Sequence, residues 1–134
     1  MDLSRINYVA VLVATLSSFV IGGLWYSPLM FSKIWIKEAQ VDVEAARKAG
    51  KVRIFGTAFI LAFIISFNLA AFLGPDAGLV WGLTAGALAG IGWVAASLGM
   101  IYLFELKSVK LFLINAGYLA VMFIVAGGII GAWQ

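Results

Sequence analysis

The sequence predicts an all-α, polytopic membrane protein: a bundle of four transmembrane helices with a cytoplasmic interfacial helix between the first and second spans. Three observations predict it. Hydrophobic residues make up 64% of the 134 residues and charged residues only 11%. A soluble domain is roughly half apolar and about a quarter charged. Four segments are apolar over the roughly 20 residues needed to cross hydrocarbon, and none carries a charge in its interior. Their apolar runs are continuous rather than alternating, which excludes a β-barrel. The spans fall at residues 6–26, 54–73, 79–104 and 111–133, so the whole chain, 1–134, reads as one integral-membrane domain.

Span one is expected to be a retained helix rather than a cleaved signal. Residues 1–5 carry one basic and one acidic side chain, the apolar run is long, and no A-x-A pattern follows it. Pro28 forces Ser27 out of helical geometry and should end the span. Ser27 as N-cap and Pro28 at the first helical position would then open the interfacial helix, residues 28–39. Phe31 and Trp35 lie on its apolar face, with Lys33 and Lys37 on its polar one. A short helix over 43–49 follows, capped by Asp42, ended by Gly50 and supported by a Glu44–Lys48 pair.

Spans two to four carry small residues at four-residue spacing, as does span one with Ala10, Ala14, Ser18 and Gly22. Span two has Ala58, Ala62, Ser66, Ala70 and Gly74, and span four has Ala116, Ala120, Gly127 and Gly131. Span three has the tightest series, Gly78, Gly82, Gly86 and Gly90. Helices in lipid associate by such close packing, because hydrocarbon supplies little drive to bury one apolar side chain against another. The glycine series lets another backbone approach, either within the chain or from a second copy. Phe55, Phe59, Phe63 and Phe67 form a packing or lipid-facing stripe on span two. Trp25, Trp81 and Trp133 sit where interfacial anchors belong, while Trp93 lies deeper.

Orientation follows from the loops. Lys33, Lys37, Arg47, Lys48, Lys51, Arg53, Lys107 and Lys110 lie on one side and Arg5 alone on the other. The positive-inside rule puts both basic loops in the cytoplasm and both termini outside. The same rule accounts for the basic clusters without a nucleic-acid partner.

Polar groups within the membrane are few, and they are the default place to look for function. Asn7 and Asn68 lie toward the outer side and are expected to share hydrogen bonds. Trp25, Tyr26, Ser27, Glu105, Asn115 and Tyr118 collect at the cytoplasmic level, where they form either a small polar pocket or interhelical glue. No acid lies at the bilayer centre, which argues against proton-coupled transport. The chain has no His and no Cys. That removes disulfides, thiolate nucleophiles, imidazole catalysis and ordinary zinc sites, so neither an enzyme nor a cofactor is expected.

Gly23-Leu24-Trp25-Tyr26-Ser27-Pro28-Leu29 with Phe31 and Trp35, and later Leu113-Ile114-Asn115-Ala116-Gly117-Tyr118, resemble the motifs of a family of small four-helix membrane proteins. That family is domain of unknown function seventeen sixty-one. The resemblance implies a four-span fold and a bacterial inner-membrane address, brings no known activity, and directs attention to Trp25, Tyr26, Ser27, Pro28, Asn115 and Tyr118. Two functions remain open. One is an oligomer of this chain that binds or transports a small solute, ion or lipid at the cytoplasmic polar cluster. The other is a non-transporting accessory or scaffold protein that docks through the glycine series.

Overall fold

The structure is a computed structural model that describes residues 2–134, and among them it contains helices and turns but no strand. A single 3-10 turn, Leu3–Arg5, precedes α1 (Tyr8–Trp25), α2 (Ser32–Ala39), α3 (Val43–Ala49) and α4 (Lys51–Leu73). The third span, Leu79–Phe104, consists of α5 (Leu79–Ala87), a π-helical segment (Leu88–Ala95) and α6 (Ala96–Phe104). The last helix is α7 (Val109–Trp133). Among the described residues, four helices are long and apolar enough to cross a membrane, so the chain is a multi-pass membrane protein.

The helix ends follow local chemistry. The side-chain oxygens of Asn7, Asp42 and Ser108 each accept a backbone N–H three residues on, at 3.0–3.1 Å, and so start α1, α3 and α7. Gly50 breaks α3 from α4 at φ 90, a conformation that disfavours residues with a Cβ. Helix α4 begins one turn earlier than hydropathy indicates, so Lys51 and Arg53 extend it beyond its apolar part.

The segment after α1 departs from expectation. Ser27 does not cap a helix starting at Pro28. Its hydroxyl donates back to the Leu24 carbonyl, and its own carbonyl accepts from Met30 and Ser32. Residues 28–31 are a hydrogen-bonded turn, and α2 starts only at Ser32 with no side-chain cap. The apolar side of α2 is largely used by the protein: Phe31 packs on Trp25 at 5.2 Å and Trp35 on Tyr26 at 4.9 Å between ring centroids. In α3 the ion pair is Glu44 with Arg47, not with Lys48.

Helix α7 is the centre of the bundle. A larger share of it is buried than of any other span, and it touches α1, α4, α2 and the whole third span. On one flank lie α1 and α4, joined by Phe19 against Phe55 and Phe59 and by Tyr8 against Phe67. The phenylalanine stripe of span two is therefore partly spent on α1. On the other flank the third span lies almost entirely on α7, and α4 meets α5 only slightly.

The glycine series makes the contact between the third span and α7 within one chain. A methyl group on Gly82 would run into the Gly127 carbonyl, and one on Gly86 into the Phe123 carbonyl. One on Gly131 would strike the Gly78 carbonyl. Gly90 lies against the Phe123 side chain. The series is thus not free to dock another molecule. Past Gly90 the packing face jumps by five residues to the buried Ala95, then continues to Gly99 beneath the Phe112 ring. The wide π turn absorbs that extra residue and keeps small residues against α7.

Replacing Gly86 by Leu should destabilise the isolated chain, since overpacking a tight core costs about 1–3 kcal/mol or more. Gly23→Ala, where a Cβ meets nothing within 4 Å, should shift stability by less than about 1 kcal/mol. Thermal unfolding of both variants in one detergent would separate them. An unchanged Gly86→Leu midpoint would contradict the intrachain contact.

Candidate functional site

The polar residues at the end of the bundle bearing the basic loops form a closed network. Trp25 and Tyr26 end α1, and α7 presents Ile114, Asn115 and Tyr118 within its first three turns. The Tyr26 hydroxyl donates to Asn115 Oδ1 at 2.6 Å. Asn115 Nδ2 donates to the Tyr102 hydroxyl, also at 2.6 Å. Tyr118 donates its hydroxyl to the Ser18 carbonyl at 3.0 Å, and Trp25 Nε1 donates to the Ile114 carbonyl at 2.9 Å. The Tyr26 and Tyr118 rings meet edge-on at 5.4 Å.

Small residues make room for these rings. Tyr118 lies against Gly22, and the Trp25 indole lies over Gly117 so closely that a Cβ there would stand 2.9 Å from it. The result links α1, α2, α6 and α7. A carboxamide paired on both sides is well satisfied, and no buried side-chain polar atom among the described residues lacks a partner.

Four of the six residues singled out from sequence therefore come together: Trp25, Tyr26, Asn115 and Tyr118. Ser27 is adjacent but is engaged in its own turn. Glu105 is not part of the network; it caps α6 at the exposed start of the turn to α7, where Leu106 takes a positive φ of 59. Tyr102 was missed. Its place opposite Asn115 depends on the π segment one element earlier, which hydropathy does not reveal.

A second network closes the opposite end, where Asn7 meets Trp133 and Gln134. Asn7 Nδ2 donates to the Trp133 carbonyl at 3.1 Å, and the Asn7 backbone N–H donates to Gln134 Oε1 at 3.2 Å. Gln134 Nε2 donates to the carbonyls of Ala70 and Gly74, so one side chain caps the end of α4. Arg5, the one basic side chain on this side among the described residues, pairs with Asp76 at 3.5 Å, both exposed. Asn7 and Asn68 do not share hydrogen bonds. Asn7 serves this clasp, and Asn68 is exposed on α4.

The residues of neither network surround the larger cavity. That cavity, about 350 Å³, is a side groove between α4 and the third span, lined by Phe72, Trp81, Ala85, Leu88, Ala89, Gly92 and Trp93. It exists because α4 and the third span both lean on α7 and hardly touch one another. Phe72 and Trp93 meet edge-on at 6.1 Å across it. Trp93 is 65% exposed, so its depth in the span does not mean burial. A cavity of about 60 Å³ at the terminal end, beside Arg5, Gly74 and Gln134, is much smaller.

A family model described as "Protein of unknown function (DUF1761)" matches residues 9–131. The chain belongs to this family. No curated protein and no solved structure matches the chain. The stretch matched to DUF1761 includes every member of the Tyr26–Asn115–Tyr102 network and the side groove. Asn7 and Gln134, which hold the terminal clasp, lie outside it.

Asn115→Leu should cost about 1–2 kcal/mol, because it strips both tyrosine hydroxyls of their partner at once. Tyr118→Phe should cost about half as much, and Glu105→Gln nothing measurable. Denaturant titrations of the three variants would show the order, and an Asn115→Leu protein as stable as the parent would refute the paired geometry.

Proposed function

We propose that the chain is a membrane-embedded binding protein that takes one hydrophobic chain, acyl or isoprenoid, from the bilayer into its side groove. The observation that carries this reading is the groove itself. Its volume lies at the lower end of the range for small-molecule sites, roughly 300–1,000 Å³. Its walls are aromatic rings, small residues and Leu88, and Phe72, Trp81, Leu88 and Trp93 are exposed on the flank of the bundle, where lipid chains would lie. Transport of a small polar solute or ion through the cytoplasmic-level cluster is less well supported, since Asn115 already spends its hydrogen bonds on Tyr26 and Tyr102. Neighbouring helices about 8–10 Å apart leave no wide path between them.

In this reading the protein sits in a bacterial cytoplasmic membrane with both termini outside, because eight of nine basic residues lie on the loop side. Helix α2 rests at the cytoplasmic surface, with Lys33 and Lys37 toward lipid headgroups. We assign no catalysis and no cofactor to a chain without His or Cys. The accessory or scaffold reading, with docking through the glycine series, is less well supported, because that series is spent between the third span and α7.

Native mass spectrometry of protein released from lipid particles tests the groove. The expected result is a reproducible adduct whose mass distinguishes an acyl lipid from an isoprenoid. Gly92→Trp, whose new side chain enters open space, should abolish that adduct without lowering the unfolding midpoint. Parent protein that flies bare, or an adduct indifferent to Gly92→Trp, would overturn the proposal. For the topology, Lys48→Cys should react with a membrane-impermeant maleimide only after the cells are opened, and labelling of intact cells would reverse the orientation.

A further inference from the structure

From Ile60 to Phe72, the surface of α4 that faces away from α1 and α7 is apolar except at one position. Ile60, Leu61, Ile64 and Phe72 are exposed along it, and Asn68 lies among them, one turn from Ile64 and one from Phe72. Asn68 is five residues from the last residue of the helix, or about 7 Å inside its end at the usual rise. That distance is beyond the few ångströms an asparagine side chain can span toward the interface. Its carboxamide is exposed and makes no side-chain hydrogen bond among the described residues. Every other asparagine of the chain is paired: Asn7 in the terminal clasp and Asn115 between two tyrosines.

A carboxamide facing hydrocarbon without a partner is unfavourable, because lipid tails offer neither donor nor acceptor. We infer that α4 is the contact between two copies of this chain, with Asn68 of each copy hydrogen-bonded to Asn68 of the other. The chemistry selects a second copy as the occupant. A carboxamide carries one acceptor oxygen and one donor NH₂, so it is complementary to itself. Two copies inserted the same way and related by a two-fold axis along the membrane normal place their Asn68 residues at the same depth. Ile64 and Phe72, one turn to either side, pack across the axis, with Leu61 widening the contact. This interface is separate from the glycine series, which is consumed between the third span and α7. It uses α4, which has a smaller buried share than α1 or α7.

The chain has no native cysteine, so single-cysteine variants report the contact directly. Under mild oxidation in lipid particles, Asn68→Cys and Phe72→Cys should form disulfide-linked dimers. Ala70→Cys, at a fully buried position on the opposite face, should not. Asn68→Leu should raise the dimer dissociation constant by about tenfold and leave the unfolding midpoint of the monomer unchanged, since Asn68 has no partner within the chain. Asn68→Gln should restore much of the association. Single-molecule photobleaching over a dilution series in vesicles reads the constant. A parent protein that stays monomeric, crosslinking without regard to helix face, or Asn68→Leu dimers as tight as the parent would each overturn the inference.

Discussion

The fold depends on backbone meeting backbone between the third span and α7. In water, burying leucine and isoleucine would hold such a bundle together. In hydrocarbon that drive nearly vanishes, and what remains is dispersion at close range and the occasional hydrogen bond. Gly78, Gly82 and Gly86 face Gly131, Gly127 and the Phe123 backbone with no side chain between them. Such a contact has no tolerance for bulk, so it fixes the depth and rotation of one helix against the other. The other spans then lean on the pair. Helix α1 packs on both α7 and α4, burying Ala10, Ala14 and Ser18, and α4 is held through α1 and by Gln134 at its end.

The same constraint explains the π segment. A straight helix cannot keep a four-residue series on a neighbour indefinitely, because 3.6 residues per turn makes such a series drift around the helix. The third span runs its glycines for three steps, inserts one wide turn, and resumes with Ala95 and Gly99. The insertion also rotates everything after it, which sets Tyr102 opposite Asn115. Packing near one end of the span thus determines which hydrogen bonds form at the other. The Ser97 hydroxyl, which donates to the Trp93 carbonyl, helps satisfy the backbone where the helical ladder changes register.

Much of this was legible in the sequence, and the misses share a cause. The four spans follow from hydropathy to within a few residues, and the small-residue series marked a real contact. Trp25, Tyr26, Asn115 and Tyr118 could be grouped from topology alone, because each lies within about three turns of the basic-loop end of its helix. Depth along a helix is readable in a sequence, but rotation about its axis is much less so when nearly every residue is apolar. Glu105 has the right depth and the wrong direction, and Asn68 was paired with Asn7 by depth although the two point apart. Tyr102 also has the right depth, and only the unforeseen π turn aims it. Gln134 was missed because a residue at a chain end shows no pattern until its partners, the last carbonyls of α4, are in place.

The two ends of the bundle and the face of α4 differ in how they treat polar groups, and that contrast bears on function. At the ends, each asparagine and tyrosine of the networks is matched to a partner, as expected where an unpaired group would weaken a structure held by little else. Along the flank formed by α4 and the third span the rule is relaxed: the Asn68 carboxamide has no partner within the chain among the described residues, a groove runs beside Phe72, and Trp93 is exposed. A membrane protein that closes its polar groups inside and leaves one open on its flank is built to meet something within the plane of the bilayer. A solute path would need the reverse arrangement, with polar groups facing inward and free. In the proposed reading, Asn68 and the groove put the working surface on the flank of the bundle, where its helices are least committed to one another.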